Sequence, residues 1–332
     1  MIKKLVVSAS VAVVVLLLAL NSLFEHHLDS VLNVKQTSFV EVEAGSTIHS
    51  FSKLLVKNTW LDNRFWLRNY VRLHPELSRL KKGLYQVKPG MTVRQLIESV
   101  VRGKEHQFSI TFIEGTTLKQ WLSLLNQQAF VKQKLDNKSV EELAKLLNIE
   151  QSNPEGWFYP DTYLYTANTS DIEILKRAHV KMKNELEHLW AQRINDLPYN
   201  NKYEALILAS IVEKESGKVE EQPTIASVFV NRLNKKMRLQ TDPTVIYGLG
   251  ERYQGDIKRS HLKEKTLYNT YRINGLPPTP IAMPGKTALM AVLNPITSDF
   301  LYFVGKGNGF HKFSTNLSDH NKAVYKYQLN KS

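Results

Sequence analysis

An uncharged, apolar stretch from Leu5 to Phe24 constrains the fold of this chain more than any other feature. At about 1.5 Å of rise per residue, a helix of this length would cross the roughly 30 Å hydrocarbon core of a bilayer. The stretch is longer than the apolar region of a secretory signal, and no small-residue cleavage site precedes Glu25. We therefore expect residues 1–24 to be a cytoplasmic tip followed by an uncleaved transmembrane anchor.

Two lysines set the expected orientation of this anchor. Lys3 and Lys4 precede the apolar stretch, and the positive-inside rule then keeps the N-terminus in the cytoplasm. Everything after Phe24 would lie on the other side of the membrane. The sequence thus predicts a single-pass protein of the cell inner membrane whose working domain is periplasmic.

The charge of the chain narrows the class of its partners. The formal net charge is +13, with the densest basic patches around Lys81, Lys176 and Lys235. No nucleic acid is expected as a partner outside the cytoplasm, so the positive field favours anionic lipid or an anionic polymer such as peptidoglycan. A solvated basic surface with no specific partner explains the charge equally well.

Several kinds of chemistry are excluded by what the sequence lacks. The 332 residues contain no cysteine, which excludes disulfides, thiolate metal sites and a cysteine nucleophile. The histidines are scattered, and the sequence has no HExxH or EF-hand pattern, GxSxG elbow, Walker loop or helix-opening GxGxxG motif. We expect no metal and no cofactor, which leaves an acid/base mechanism that uses one carboxylate.

Beyond the anchor, the chain divides into three predicted parts. Residues 25–37 are expected to form a juxtamembrane stalk, residues 38–105 a small α+β domain, and residues 106–332 a larger mixed α+β domain. In the larger domain, strands over Phe300–Val304 and His311–Ser314 are expected to form a hairpin, because a glycine-rich turn joins them.

The small domain carries the clearest local signals. Alternating side chains predict strands over Ser38–Val42 and Gly83–Val87. Thr92 is expected to cap a helix that runs to about Val101. A turn followed by Thr and Gln at the same offsets recurs around Thr117, in the larger domain, although two short matches are weak evidence for a repeat.

The segment from Tyr203 to Gly217 predicts a helix with one carboxylate on its apolar face. At about 100° of rotation per residue, Glu215 lies within roughly 20° of the mean direction of the large apolar residues, whereas Glu213 points the opposite way. Those apolar residues are Leu206, Ile207, Leu208, Ile211 and Val212. We therefore expect Glu213 to be solvated and Glu215 to be buried or to face a cleft.

The chemistry of such a carboxyl group follows from its surroundings. An apolar environment disfavours the ionised form, which raises the pKa of Glu215 towards neutrality and suits a general acid. The structural alternative is a glutamate at the rim of the core that pairs with a lysine or an arginine.

Later segments supply polar and aromatic side chains that could surround this acid. Gln240, Thr241 and Asp242 precede an apolar turn, and the run Tyr268–Tyr271 follows further along the chain. The proline-rich loop Gly275–Gly285 has a rigid path, which suits the wall of a cleft.

Several runs in a fixed order make the chain resemble a known family. They are Leu208–Ser216 (LASIVEKES), Ala226–Leu233 (ASVFVNRL), Arg238–Gly248 (RLQTDPTVIYG), Tyr268–Tyr271 (YNTY), Gly275–Pro278 (GLPP) and Tyr302–Val304 (YFV). Through these runs the chain is similar to the MltG (YceG-like) family of endolytic murein transglycosylases. The resemblance extends from the anchor nearly to the C-terminus.

The resemblance implies roles for particular residues. The family's catalytic acid is the second glutamate of an E-K-E triplet, which falls on Glu215. Ser216 is a weaker candidate for substrate contact, because family members vary at that position. The neutral groups implied to line the substrate site are Gln240, Thr241, Tyr247, Tyr268, Asn269 and Tyr271.

The resemblance also implies a reaction and a set of partners. Glu215 would protonate the oxygen that links N-acetylmuramic acid to N-acetylglucosamine, and would then accept the proton of the muramic C6 hydroxyl as that oxygen closes onto C1. The products would carry 1,6-anhydro ends, and the strands cut would be nascent ones. The region from about Ser38 to Gly103 would be a LysM-like domain that contacts glycan, and peptidoglycan synthases would be neighbours.

Two other functions remain open from the residues. A lysozyme-like hydrolase would need a second carboxylate about 5 to 9.5 Å from the first, for which Asp242 or Asp161 is available, and it would release reducing ends. The turn-forming role of an aspartate before proline is the alternative for Asp242. A non-catalytic scaffold that binds murein would need neither carboxylate.

Overall fold

The computed structural model describes residues 2–136 and 138–329, so Met1 of the expected cytoplasmic tip lies outside the described residues. Within them the fold is mixed α+β, as predicted. The helices are α1 (Ile2–Leu28), α2 (Ile48–Lys57), α3 (Phe65–Leu73), α4 (Val93–Arg102), α5 (Leu118–Asn126), α6 (Val140–Leu146), α7 (Asp171–Ala191), α8 (Lys202–Glu215), α9 (Gln222–Asn234), α10 (Asp242–Leu249), α11 (Arg259–Lys263), α12 (Lys286–Leu293) and α13 (Leu317–Val324). The strands are β1 (Ser38–Val42), β2 (Gly83–Val87), β3 (Phe108–Thr111), β4 (Thr162–Tyr165), β5 (Tyr302–Gly305) and β6 (His311–Ser314), paired as β1–β2, β3–β4 and β5–β6.

The chain forms two compact units. The first comprises Met1–Phe108 with Leu164–Asn168, and the second comprises Ser109–Tyr163 with Thr169–Ser332. Each unit has its own hydrophobic core. The expected division into a LysM-like domain and a catalytic domain stays a prediction, because compactness by itself identifies neither activity.

The first unit is built around the antiparallel pair β1–β2. Ser38 lies opposite Val87, and Val42 lies opposite Gly83, so both predicted strands are confirmed with their bounds. Val40, Val42, Tyr85 and Val87, at alternate positions of the two strands, enter the core that α2, α3 and α4 complete, as the period of two in a strand requires, and Leu84 is buried outside this alternation. The buried strand residues are Val40, Val42, Leu84, Tyr85 and Val87.

Two helices begin with the same capping arrangement. The hydroxyl of Thr92 accepts a hydrogen bond from the N–H of Gln95, and the Gln95 side chain accepts one from the N–H of Thr92 at 3.0 Å. Thr117 and Gln120 repeat this reciprocal pair at the start of α5. The predicted cap at Thr92 is confirmed, and the recurrence of Thr and Gln in the sequence has a local cause.

The N-terminal helix contains an apolar span and ends inside the first unit. Within its segment Val6–Leu28, an 18-residue window reaches a mean hydropathy of 2.4, and by length and composition this helix could cross a membrane. Leu28 at the end of this helix, and Leu32 and Val34 after it, are buried in the core of the first unit. Residues 25–37, expected to form a stalk, therefore contribute to that core.

Helix α8 is the central helix of the second unit. The side chain of Asn201 caps it by accepting a hydrogen bond from the N–H of Glu204 at 3.0 Å. Every residue from Ala205 to Val212 is buried, because α7, α9, α10 and α12 all contact this helix. The sequence predicted one inward face, and the surrounding helices cover the others as well.

A hairpin and a short helix complete the second unit. In β5–β6, Tyr302 lies opposite Ser314 and Gly305 opposite His311, which confirms the predicted hairpin with its first strand starting two residues later. Both α9 and α13 contact β5. The hairpin thereby brings α13 towards the same side of the unit as α9.

Truncation of the core of the first unit should be costly. Leu96 of α4 is fully buried, so Leu96→Ala should lower the free energy of unfolding by about 2–5 kcal/mol, through lost burial and the cavity left behind. Urea unfolding followed by circular dichroism measures the change. The exposed Lys88 is the control, since Lys88→Ala should stay within about 0.5 kcal/mol of wild type. Equal midpoints for L96A and wild type would contradict the packing described.

Candidate active site

Glu215 is the last residue of α8, where the helix reaches the edge of the core. The residue is half-buried, and burial raises the pKa of its carboxyl to about 7. The partial negative charge at a helix C-terminus acts in the same direction, because it disfavours a carboxylate. Among the described residues, Glu215 forms no ion pair with a lysine or an arginine, so the structural pairing considered from the sequence is not seen.

Thr241 is the hydrogen-bond partner of this carboxyl. Its hydroxyl donates to Oε1 of Glu215. Thr241 is itself buried and fixed, since its N–H donates to the hydroxyl of Thr270 at 3.0 Å. The N–H of the neighbouring Gln240 donates to the carbonyl of Thr270 at 3.2 Å. The loop before α10 is therefore held in place against the end of α8.

Arg232 of α9 is a buried guanidinium that has no carboxylate partner among the described residues. Backbone carbonyls hold it, because Nε donates to Leu301 at 2.6 Å and Nη1 to Leu239 at 2.8 Å. Its Cζ also lies 5.2 Å from the ring centre of Tyr302. The positive charge lowers the pKa of Glu215, but the desolvation of Glu215 is the larger effect, so that pKa stays raised.

Glu215 and Arg232 open onto one cleft with a volume of about 490 Å³. Residues from the loop before α10 form one part of its lining, and the β5–β6 hairpin and α13 form another. The further lining residues are Leu239, Gln240, Thr241, Asp242, Tyr271, Tyr302, Phe303, Val304, Gly305, His311, Leu317, His320, Asn321, Val324 and Gln328. The cleft thus brings together four of the residues selected from the sequence, namely Glu215, Gln240, Thr241 and Tyr271.

Two features of the cleft are informative about its chemistry. Tyr271 donates a hydrogen bond to Oδ1 of Asp242 at 2.7 Å, and the charge of Asp242 raises the pKa of Glu215. Gln240 has a φ of +50°, in the left-handed region where a residue with a side chain is strained. This strained residue is exposed and lines the cleft.

Two other predicted contacts have their polar groups engaged within the protein. Ser216 forms a tight turn, in which its hydroxyl donates to the carbonyl of Lys218 at 3.2 Å and accepts the Lys218 N–H at 3.0 Å. Asn269 is buried, and its amide donates to the carbonyls of His261 and Glu264. Its oxygen accepts the N–H of Tyr271 at 3.0 Å. Asn269 therefore shapes the loop that carries Tyr271.

Tyr247 and Tyr268 form a separate pair. Their ring centres are 5.0 Å apart, and neither residue is among those that line the cleft with Glu215. The hydroxyl of Tyr268 lies 2.8 Å from that of Thr279. Contact of either tyrosine with substrate stays a prediction.

Glu155 is a second buried carboxyl that the sequence reasoning missed. It is 3% exposed, and burial raises its pKa to about 7. It accepts hydrogen bonds from the N–H of Leu118 at 2.9 Å and from the hydroxyl of Tyr247 at 3.2 Å. Glu155 lies in an aromatic loop with no helical period, so no pattern in the sequence marks its burial.

The expectation for Glu213 was wrong. The residue is half-buried instead of solvated, and it accepts a hydrogen bond from the N–H of Gly285 at 2.9 Å. Burial raises its pKa as well. The reason is that the loop before α12 covers the face of α8 that the helical pattern leaves open. Asp161, considered as a second carboxylate, pairs instead with Lys181 and is not among the cleft residues.

Arg232, His311 and His320 also line the cleft, although they were not selected from the sequence as site residues. The histidines were noted only as too scattered to form a metal site. Nδ1 of His311 lies 2.8 Å from a carboxylate oxygen of Glu221. The ring of His320 stacks on that of Tyr302, with the ring centres 5.1 Å apart. They reach the cleft because the hairpin folds back onto α9, a long-range contact that local spacing does not encode.

Known proteins match most of this chain. The model of the YceG-like family matches residues 40–326. A protein of Bacillus subtilis (strain 168) named endolytic murein transglycosylase is 30% identical over 318 residues, covering 90% of this chain and 87% of that protein. A protein of the same name from Streptococcus pneumoniae serotype 2 (strain D39) is 27% identical over 339 residues, and the match covers 91% of this chain but 61% of the relative.

A solved structure agrees with these matches. The crystal structure of a YceG-like protein from Listeria monocytogenes is 31% identical in sequence, with a TM-score of 0.52, and the match covers 87% of this chain and all of that one. The family match spans most of the chain, and the resemblance drawn from the motifs is confirmed: this protein belongs to the YceG-like family.

Proposed function

We propose that this protein is a membrane-anchored peptidoglycan lytic transglycosylase that uses Glu215 as its acid and base. Relatives named endolytic murein transglycosylases support the class of reaction. The observation that carries the assignment of Glu215 is its position, half-buried at the end of α8 and open to a cleft, with a pKa raised to about 7. A carboxyl group with this pKa is partly protonated at neutral pH and can donate its proton.

The reaction needs one carboxyl group. Protonated Glu215 donates to the oxygen between N-acetylmuramic acid and N-acetylglucosamine, and the bond from that oxygen to C1 breaks with its electron pair leaving on the oxygen. The positive charge that develops at C1 is quenched by the C6 hydroxyl oxygen of the same muramic residue, whose proton passes to the Glu215 carboxylate. A 1,6-anhydro end forms, no water is consumed, and the enzyme returns to its protonated state.

The neighbours of Glu215 suit both halves of this cycle. After the first proton transfer, the carboxylate is stabilised by the Thr241 hydroxyl and by the positive charge of Arg232. Neither group is a proton acceptor at that point, so the second proton returns to Glu215. Gln240 and Tyr271, which line the same cleft, are the proposed contacts to the sugar hydroxyls and the acetamido group.

The wider setting of the enzyme is also proposed. The apolar span of α1 supports a single-pass anchor in the inner membrane, with the N-terminus in the cytoplasm and the cleft in the periplasm. Residues 38–105 would act as a LysM-like domain that gives a second contact with glycan. Cleavage of nascent strands beside peptidoglycan synthases, which would limit strand length, rests on the family resemblance.

A hydrolase is the second candidate, because Asp242 lines the cleft with Glu215. As a base, Asp242 would activate water and leave a reducing end. Against this, Asp242 is the first residue of α10 and accepts the Tyr271 hydroxyl, which gives it a structural reason to be there. A non-catalytic scaffold would give no reason for a carboxyl with a raised pKa at the cleft.

Replacement of Glu215 should remove activity. With purified protein and uncrosslinked peptidoglycan, Glu215→Gln should lower the cleavage rate by at least about 10²–10⁴-fold, because the amide can neither donate nor accept the proton. Mass spectrometry of the wild-type products should show anhydro-muramic ends. Glu213→Gln is the matched control on the same helix and should keep most of the rate. Equal cleavage rates for E215Q and wild type would show that Glu215 is not the acid, and no cleavage by either protein would favour the non-catalytic scaffold.

The pH profile should report the carboxyl group directly. The acid must be protonated in the free enzyme, so kcat/KM should fall as the pH rises through about 7. Thr241→Val removes a hydrogen bond that favours the ionised form, so the alkaline limb should move to higher pH. An alkaline limb at the same pH in T241V and wild type would show that the group that titrates is not Glu215.

Replacement of Asp242 should distinguish the two reactions. Asp242→Asn removes a negative charge that raises the pKa of Glu215, so the alkaline limb should move to lower pH while anhydro ends persist. Product analysis and the pH profile of kcat/KM measure the two effects. Loss of all cleavage, together with reducing ends from wild type, would establish the hydrolase.

A further inference from the structure

Helix α3 has an outward face that combines apolar and basic side chains. Leu67, Tyr70 and Val71 point into the core of the first unit. On the opposite side, Phe65 is 60% exposed and Leu73 is 65% exposed. Large, exposed apolar side chains near both ends of a short helix indicate a surface that contacts a partner or a membrane.

The same face is positively charged. Arg64, Arg68 and Arg72 recur at a spacing of four, which places them in one stripe beside Phe65. The helix contains no acidic residue. Among the described residues, none of the three arginines takes part in an ion pair. Their charge is available to an external anion.

Contacts within the first unit fix α3 against the end of α1. The ring of Trp66 packs edge-on against Phe24 at 5.4 Å and stacks on His27 at 4.4 Å. These rings belong to the last two turns of α1. The neighbouring helix α3 therefore cannot move far along the axis of α1 without losing both aromatic contacts.

An ion-pair cluster strengthens this attachment. Arg94 of α4 pairs with Glu25 and, through Nε, with Asp29 at 2.7 Å. Tyr70 of α3 joins the cluster by donating to Glu25 at 3.3 Å. The pairs are partly exposed, so their contribution is modest, but together they tie three helices at one point.

The position of the apolar span in the membrane then determines the depth of α3 relative to the bilayer. If the stretch ending at Phe24 crosses the hydrocarbon core, Phe24 lies at its boundary and His27 lies among the headgroups. Trp66, in contact with both, lies at the level where tryptophan is enriched in membrane proteins. Phe65, Arg68 and Arg72 belong to the same short helix, and Arg64 is its N-cap residue.

We propose that α3 is an interfacial helix, which inserts Phe65 among the lipid headgroups and binds anionic phospholipid through Arg64, Arg68 and Arg72. The proposal rests on the membrane anchor of the proposed function and is independent of the catalytic assignment. Its partner is the bilayer surface, since the helix is continuous with the span through direct contacts. The first unit would thereby be held in one orientation on the membrane.

The absence of native cysteine makes a site-specific test direct. A spin label at Asn69→Cys, on the outward face of α3, reports the depth of that face, and a label at Val14→Cys reports insertion of α1. The full chain is reconstituted into vesicles of phosphatidylcholine with and without phosphatidylglycerol. Depth is read from the ratio of collision with oxygen to collision with a water-soluble nickel chelate.

The expected result is a deep label at 14 in both vesicles and a headgroup-level label at 69 that moves deeper with phosphatidylglycerol. Phe65→Ser should shift the label at 69 to values for water, and R64Q/R68Q/R72Q should abolish the effect of phosphatidylglycerol. Circular dichroism checks that each variant stays folded. A deep label at 14 with a water-exposed label at 69 would overturn the role of α3 and leave the anchor standing. Water exposure at both positions would overturn the anchor and this proposal together.

Discussion

The burial of α8 on all sides is the constraint on which the candidate active site depends. Residues Ala205 to Val212 are enclosed by four other helices, so the helix cannot rotate to expose its last turn to bulk water. Glu215 is therefore fixed where the core ends and the cleft begins. The raised pKa is a consequence of this packing, because an isolated carboxyl at a helix end would have no desolvation to shift it.

Three polar neighbours then set how far the pKa rises. Asp242 pushes it up, whereas the Thr241 hydroxyl and the Arg232 charge pull it down, and burial outweighs them. Arg232 can take part because backbone carbonyls, not a carboxylate, satisfy its donors. A partner carboxylate would have neutralised it. With this arrangement the Glu215 carboxyl can donate its proton near neutral pH, and Thr241 and Arg232 stabilise the carboxylate that remains.

The sequence predicted what depends on local chemistry and failed where distant segments meet. The strands β1 and β2, the cap at Thr92 and the orientation of Glu215 relative to the apolar face could all be read from spacing. Burial of Glu213 and Glu155 could not, because each is covered by a segment far away in sequence. Helix α10 was expected only as an apolar turn, since its eight residues are too few for a helical period to stand out.

The attachment of α1 to the first unit limits how a membrane anchor formed by this helix could work. A stalk over residues 25–37 would let the rest of the protein move freely above the membrane, with a reach set by its length. Instead Leu28 and Leu32 are core residues, and Arg94 of α4 forms an ion pair with Glu25 near the end of α1. The end of α1 and residues 28–34 are thus part of the folded core of the first unit.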